Sequence, residues 1–297
     1  MSFVLLFFQY SCSQTTEKSS QNEVDITKYW TQGLAEINVY SLSQNRYKEN
    51  HEGQLISIFV REDFLHEKHV KNERYTNQNT TPILKNIQLR KFPTGVYDYS
   101  MFTSTFTPID RVQFPKTLKV SSSSQEWCGN VYLQFNYNDN SYSTELRSYF
   151  ENEGDSNTII KEGILEDELF NLIRLDPNSL PQGNFKVIPS ANYIQLKHAK
   201  LASVTAEGIL KDYTEKDFSG TNLMEYTVRM PSLKRMVTIV FENQVPYKIV
   251  GWLDAYPSAF DKKIRTTKVT LKQQKMLDYW SKNSLNDMKL RKELGIH

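Results

Sequence analysis

From Tyr29 onward the chain is built of short stretches in which apolar and polar residues alternate, separated by polar gaps. A period of two marks antiparallel strands with one face packed and the other wet. Ala35, Ile37 and Val39 alternate with Glu36 and Asn38, and Ile56, Ile58 and Val60 follow the turn-like Glu52-Gly53. Val131, Leu133, Phe135 and Tyr137 point one way, with Gln134 and Asn136 on the other side. Asn138-Asp139-Asn140 then offers turn chemistry before a partner strand over 142–150, which together predict a hairpin. Further strands fit 83–92, 96–106, 118–123, 185–188, 204–210, 224–230, 236–241, 247–253 and 265–271, while the polar stretch 65–81 is expected to be an exposed excursion.

Two segments break the rhythm. Leu165, Leu169, Leu172 and Ile173 recur at helical spacing before Pro177 and Pro181 end the run. The tail from Lys272, with Met276, Leu277, Trp280 and Met288, fits an amphipathic C-terminal helix packed on the sheet. No βαβ rhythm is present, which argues against a Rossmann-like or other parallel α/β domain. The expected fold is mainly β: a large curved antiparallel sheet or open barrel wrapping a helix, with a helical break near 160–180 and a C-terminal helix. One β-rich domain over 29–297 is expected, with two sheet segments joined near 160–185 as the other arrangement.

Composition agrees with a folded, strand-rich chain: 39% of the 297 residues are hydrophobic and 12% aromatic, with 17 Tyr and 16 Phe. The 36 basic and 34 acidic side chains are interspersed, so no single-sign field exists to attract nucleic acid. Lys262, Lys263, Arg265 and Lys268, the one basic cluster, read as a solvated strand face. Two cysteines, Cys12 and Cys128, are too few for a disulfide framework.

The first twelve residues read as an address. Phe3 to Phe8 is an apolar run far shorter than the roughly 20 residues a membrane span requires, and close to a signal-peptide core. It ends at Tyr10-Ser11-Cys12-Ser13, where a small residue before Cys resembles a bacterial lipobox, although Gln9 stands where an aliphatic residue is usual and no Lys or Arg precedes the run. Lipidation at Cys12 and a polar tether over 13–28 are expected, and with them a membrane partner and a cell-envelope location, on the periplasmic face or the outer surface.

No Gly-rich phosphate loop, G-x-S-x-G elbow or H-E-x-x-H helix occurs. Four constellations remain. His66 and His69, with Glu62, Asp63 and Glu67, have metal-ligand spacing but sit in a stretch charged on all sides, so an exposed loop is expected and no metal or other cofactor. Cys128 would be a nucleophile if His51 or His198 served as its base; the competing expectation is a small packed thiol beside Trp127, itself a core or pocket aromatic. Glu162, Glu166, Asp167 and Glu168 fall on the expected solvated side of the helix that carries Leu165 and Leu169. Tyr97, Tyr99, Met101, Phe102 and Phe106, with Trp127 and Cys128, are candidates to line an apolar ligand cavity.

Residues 29–37, 94–101, 123–129 and 180–183 together resemble a family of Bacteroidota envelope proteins, a likeness covering nearly the whole mature chain. Members are often catalogued as "septum formation inhibitor Maf". That label implies a cytosolic nucleoside triphosphate pyrophosphatase with an α/β fold and a Ser-Pro-Arg-Arg-like turn, which this chain lacks, so the label is expected not to describe its chemistry. The expected function is non-enzymatic binding of an apolar ligand or an envelope protein. A Cys128-dependent hydrolase or transferase is the alternative, and the pyrophosphatase a third.

Overall fold

The computed structural model describes residues 26–296. The leader at 1–12, with Cys12, lies outside the described residues, as does the tether up to residue 25. Residues 26–30 form a helical turn that buries Trp30 against Phe59 and the Arg174 guanidinium.

Sixteen strands follow: β1 (Ala35–Arg46), β2 (Glu49–Leu65), β3 (Val70–Lys71), β4 (Thr81–Thr94), β5 (Tyr97–Pro108), β6 (Lys119–Glu126), β7 (Gly129–Asn138), β8 (Ser141–Ser148), β9 (Ser156–Ile160), β10 (Ile164–Leu165), β11 (Gly183–Ile188), β12 (Val204–Asp212), β13 (Leu223–Met230), β14 (Arg235–Glu242), β15 (Ile249–Pro257) and β16 (Ile264–Leu277). All belong to one sheet, in the order β10 to β16, then β1, β2, β4 to β9, with β3 beside β2. Pairing is antiparallel throughout except for the two-residue β10–β11 contact, and β1 against β16 joins the two halves. The turn between β7 and β8 places Asp139 and Asn140 at positive φ, the conformation a two-residue hairpin requires.

The two edges of this sheet, β9 and β10, are consecutive in sequence. The Cα atoms of Ile160 and Ile164 are therefore at most about 14 Å apart. The sheet curls until its edges face each other without closing. Val120, Leu133, Phe135 and Ile160 from one side pack with Leu165, Ile188 and Ile194 from the other, forming an apolar cluster across the seam.

Two short helices, α1 (Leu169–Leu175) and α2 (Ala191–Lys197), fill the concave side. Leu169, Leu172 and Ile173 enter the main core, at roughly 1.5–3 kcal/mol of burial each. Asn171 Nδ2 donates to the Leu84 carbonyl and to Thr107 Oγ1, both at 2.9 Å, and Gln195 reaches the Val131 carbonyl. The helices are thereby fixed to β4, β5 and β7.

Three details differ from the sequence reading. Residues 272–277 continue β16, and the C-terminal helix is the short α3 (Met288–Glu293), which leaves Met288 and Trp280 exposed. Cover for the convex face comes from Leu294 and Ile296, packed with Ile37 and Val39. The face of β1 read as wet is in fact the inner one: Glu36 and Asn38 are fully buried, because Arg174 from α1 supplies a counter-charge there. The 65–81 excursion is anchored in part by β3 and by the buried His69 and Asn72. No helix of the described residues is long and apolar enough to cross a membrane.

Candidate functional site

Strand direction gathers the β1–β2, β4–β5, β6–β7 and β15–β16 turns at one end of the sheet, opposite the end where the chain enters β1. These turns are rich in aromatic residues. The Tyr47 ring lies 5.0 Å from Phe260 and 6.5 Å from Tyr97, and Tyr97 lies 6.5 Å from Trp127. Trp127 and Tyr149 flank a surface concavity of about 470 Å³ floored by Gln125, Glu126 and Asn130. Gly129 lines it too: a Cβ there would meet the Tyr149 ring at 2.9 Å, so a larger residue would displace the ring from its present place. Trp127 is 71% exposed, Tyr149 77% and Phe260 55%.

The sequence candidates divide across this end. Tyr99 and Met101 are buried in the main core. Tyr99 stacks on Phe92 at 4.9 Å, and its hydroxyl accepts from Arg46 Nη2 at 2.7 Å. Burial raises the Tyr99 pKa, so Arg46 faces a neutral phenol while its guanidinium lies over the Tyr47 and Tyr99 rings. Tyr97 is half-buried at the rim, bonded through its hydroxyl to Tyr47. Trp127 stands at a turn tip on the rim of that concavity and not in a core, because a two-residue hairpin turn leaves its side chain nothing to pack beneath.

Cys128 is exposed beside it. The bases proposed for it are engaged elsewhere: His51 Nε2 with the Arg46 carbonyl at 3.2 Å, and His198 Nδ1 with Glu153 at 2.9 Å. The adjacent Glu126 carboxylate, which accepts the Cys128 backbone N–H at 2.8 Å, raises the thiol pKa through a side-chain hydrogen bond and its charge. A catalytic thiolate needs the opposite environment.

The acidic run is the largest departure. Glu162 is exposed, but Glu166, Asp167 and Glu168 form a buried 3-10 turn on the inner side. Their partners come from distant strands and loops that the sequence does not bring together. Glu166 takes two bonds from Arg235, at 2.6 and 2.7 Å, and one from the Ser190 N–H at 3.0 Å. Asp254 takes two more from Arg235, at 2.8 and 3.0 Å, and the Tyr193 ring covers that guanidinium at 4.1 Å. Glu168 is met by Arg111 at 3.6 Å, and burial raises its pKa. Among the described residues Asp167 accepts only the Ala191 N–H, at 2.9 Å, and burial pushes its pKa up to about 7. Arg90, on β4, faces the same narrow cleft of about 30 Å³ with Asn192 and Tyr256. No sequence signal singled out Arg90, Arg235 or Asp254; the only trace is the polar inner row Asn86, Gln88 and Arg90.

His69 is buried, with Nε2 against the Tyr137 carbonyl at 3.0 Å and its pKa lowered by burial, and His66 lies beside Phe114. No group of three or more His, Cys, Asp or Glu placed to hold a metal ion occurs among the described residues. No protein-family model, curated protein or solved structure matches the chain.

Proposed function

We propose that this chain is a lipid-anchored cell-envelope protein that acts by binding a protein partner, without catalysis, through the aromatic end of its sheet. The observation that carries this reading is the exposure of Trp127, Tyr149 and Phe260 on neighbouring turn tips, with Tyr47 and Tyr97 behind them. Trp and Tyr are the side chains that dominate protein interfaces and their energetic centres. An anchor at Cys12 would join the folded part at the entrance to β1, so these turns would face away from the membrane that holds it. The Tyr97–Tyr47–Tyr99 hydroxyl chain and the Arg46 guanidinium supply a polar margin of the kind that fixes register.

The test combines location and contact. Mass spectrometry of the membrane-purified chain is expected to find an acylated Cys12 that is lost in Cys12→Ser. A photo-crosslinker at position 127 or 149, in cells, is expected to give one discrete adduct that position 285 does not give. An unmodified chain beginning at Met1 in the soluble fraction would overturn the location. Equal, diffuse labelling at all three positions would overturn the binding surface.

A further inference from the structure

The cleft between the buried acidic turn and β4 holds a cation that makes no direct ion pair. Arg90 is 8% exposed; one terminal nitrogen donates to Gln44 Oε1, its Nε has no hydrogen-bond partner, and it takes part in none of the ion pairs of the described residues. Arg235, across the cleft, is in the opposite condition, held by both Glu166 and Asp254. An isolated buried cation costs several kcal/mol, which an anion placed against it offsets. Asn192 Oδ1, on the same wall, is also without a partner. Turning that amide would present its NH₂ to the same space. The cleft's free volume of about 30 Å³ exceeds the roughly 10–15 Å³ that one water requires, which leaves room for a small group.

We propose that this cleft is a site for one small monovalent anion of the carboxylate type, held by the Arg90 guanidinium and taken up together with a proton on Asp167. Asp167 is the carboxyl that competes for Arg90. Around it stand Glu166 on its own turn, Arg90 on β4, Arg235 on β14, Asp254 and Tyr256 on β15, and Tyr193 on α2. Glu166 and Asp254 are spent on Arg235, and the two tyrosines stay neutral because burial raises their pKa values. Burial brings the Asp167 titration to about 7. When ionised it serves as the counter-ion across the cleft; when protonated it leaves Arg90 to the incoming anion. Binding therefore weakens as the pH rises through the Asp167 titration, by tenfold per unit beyond it. The site is independent of the aromatic end, so neither reading depends on the other.

The anion could be a free small carboxylate or the terminus of a peptide, and the test separates the two. In ¹⁵N-labelled protein the Arg90 Nε–H resonance is assigned by its loss in Arg90→Lys and followed during titration with formate, with an acetylated tetrapeptide bearing a free C-terminus, and with its amidated form. A saturable shift with formate at pH 6, weakened roughly thirtyfold at pH 8.5, is expected. Response to the free-terminus peptide alone would assign the carboxylate to a partner chain. Arg90→Gln, followed through the backbone amide resonances of β4 and α2, is expected to abolish binding. Asp167→Asn, which keeps the shape of the turn, is expected to bind formate equally at both pH values, and this variant decides the matter if Arg90→Gln does not fold. No saturable shift with any probe, or formate binding whose pH dependence survives in Asp167→Asn, would overturn the proposal.

Discussion

Both terminal nitrogens of Arg174 donate to the two carboxylate oxygens of Glu36, and neither side chain has exposed surface. The pair joins α1 to the first strand across 138 residues of chain. Burial alone would raise the Glu36 pKa, but the charge and hydrogen bonds of Arg174 outweigh it and hold the carboxyl below its usual range. Tyr29 and Asn38 Nδ2 also donate to that carboxylate, and Arg174 Nε donates to the Pro246 carbonyl at 2.8 Å. Removing one partner leaves the other charge buried and unpaired, so Arg174→Met is expected to cost about 3–5 kcal/mol in urea unfolding. Replacing Glu36 and Arg174 together by Met should recover part of that loss; equal loss in single and double variants would show that the ion pair is not the source.

The Asp167 carboxyl makes the opposite contribution to pH dependence. Its folded pKa of about 7 lies above the ordinary value of 3.8, so between those two values the unfolded chain releases a proton that the folded chain keeps. Stability from this group is complete below the unfolded value and is lost as the pH rises toward 7. Asp167→Asn removes the loss, and its advantage over the native chain is expected to grow from near zero at pH 4 to as much as about 4 kcal/mol at pH 8. Urea midpoints of the two proteins across that range check it, and a constant difference would exclude the titration.

Strand identity was legible because a period of two survives even where both faces of a strand are covered. Which face lies inside was not. On β7 the apolar row Val131, Leu133 and Phe135 is the inner one, as alternation implies. On β1 the inner row contains Glu36 and Asn38, while Ile37 and Val39 lie outside beneath Leu294. The polar residues turn inward there because the concave space is filled by helices that carry their own buried charges, and Arg174 is available to neutralise Glu36. The same cause explains the acidic turn. Glu166 looks solvated until Arg235, 69 residues later, is placed beside it, a pairing that no local pattern encodes. Tyr99 and Met101 were recognisable as inward residues from the β5 alternation, whereas the exposure of Trp127 followed from a turn position that hydrophobicity alone concealed.

Cys128 offers a chemical check on its surroundings. It is the free, exposed thiol of the described residues, and the neighbouring Glu126 carboxylate disfavours its thiolate. Because the thiolate is the reacting form, alkylation near pH 7.5 is expected to be slower than for an ordinary exposed cysteine, and Glu126→Gln should accelerate it several-fold. The rate is best followed by mass spectrometry in a Cys12→Ser background. A native rate above that of a free thiol, unchanged in Glu126→Gln, would instead indicate an activated cysteine and return catalysis to consideration.

Trp127 and Tyr99 belong to one aromatic end but to different parts of the structure, and substitution should separate them. Trp127→Ala removes a ring that is 71% exposed, so its unfolding free energy is expected to stay within about 0.5 kcal/mol of the native value. Tyr99→Ala removes the ring stacked on Phe92 and the hydroxyl that accepts from Arg46, and is expected to cost about 3–5 kcal/mol. Loss of crosslinking in Trp127→Ala is therefore attributable to a missing contact, whereas in Tyr99→Ala it would be confounded by a loosened core. A large destabilisation in Trp127→Ala would mean that the ring is packed in solution, and the partner surface would then have to be sought around Tyr149 and Phe260 alone.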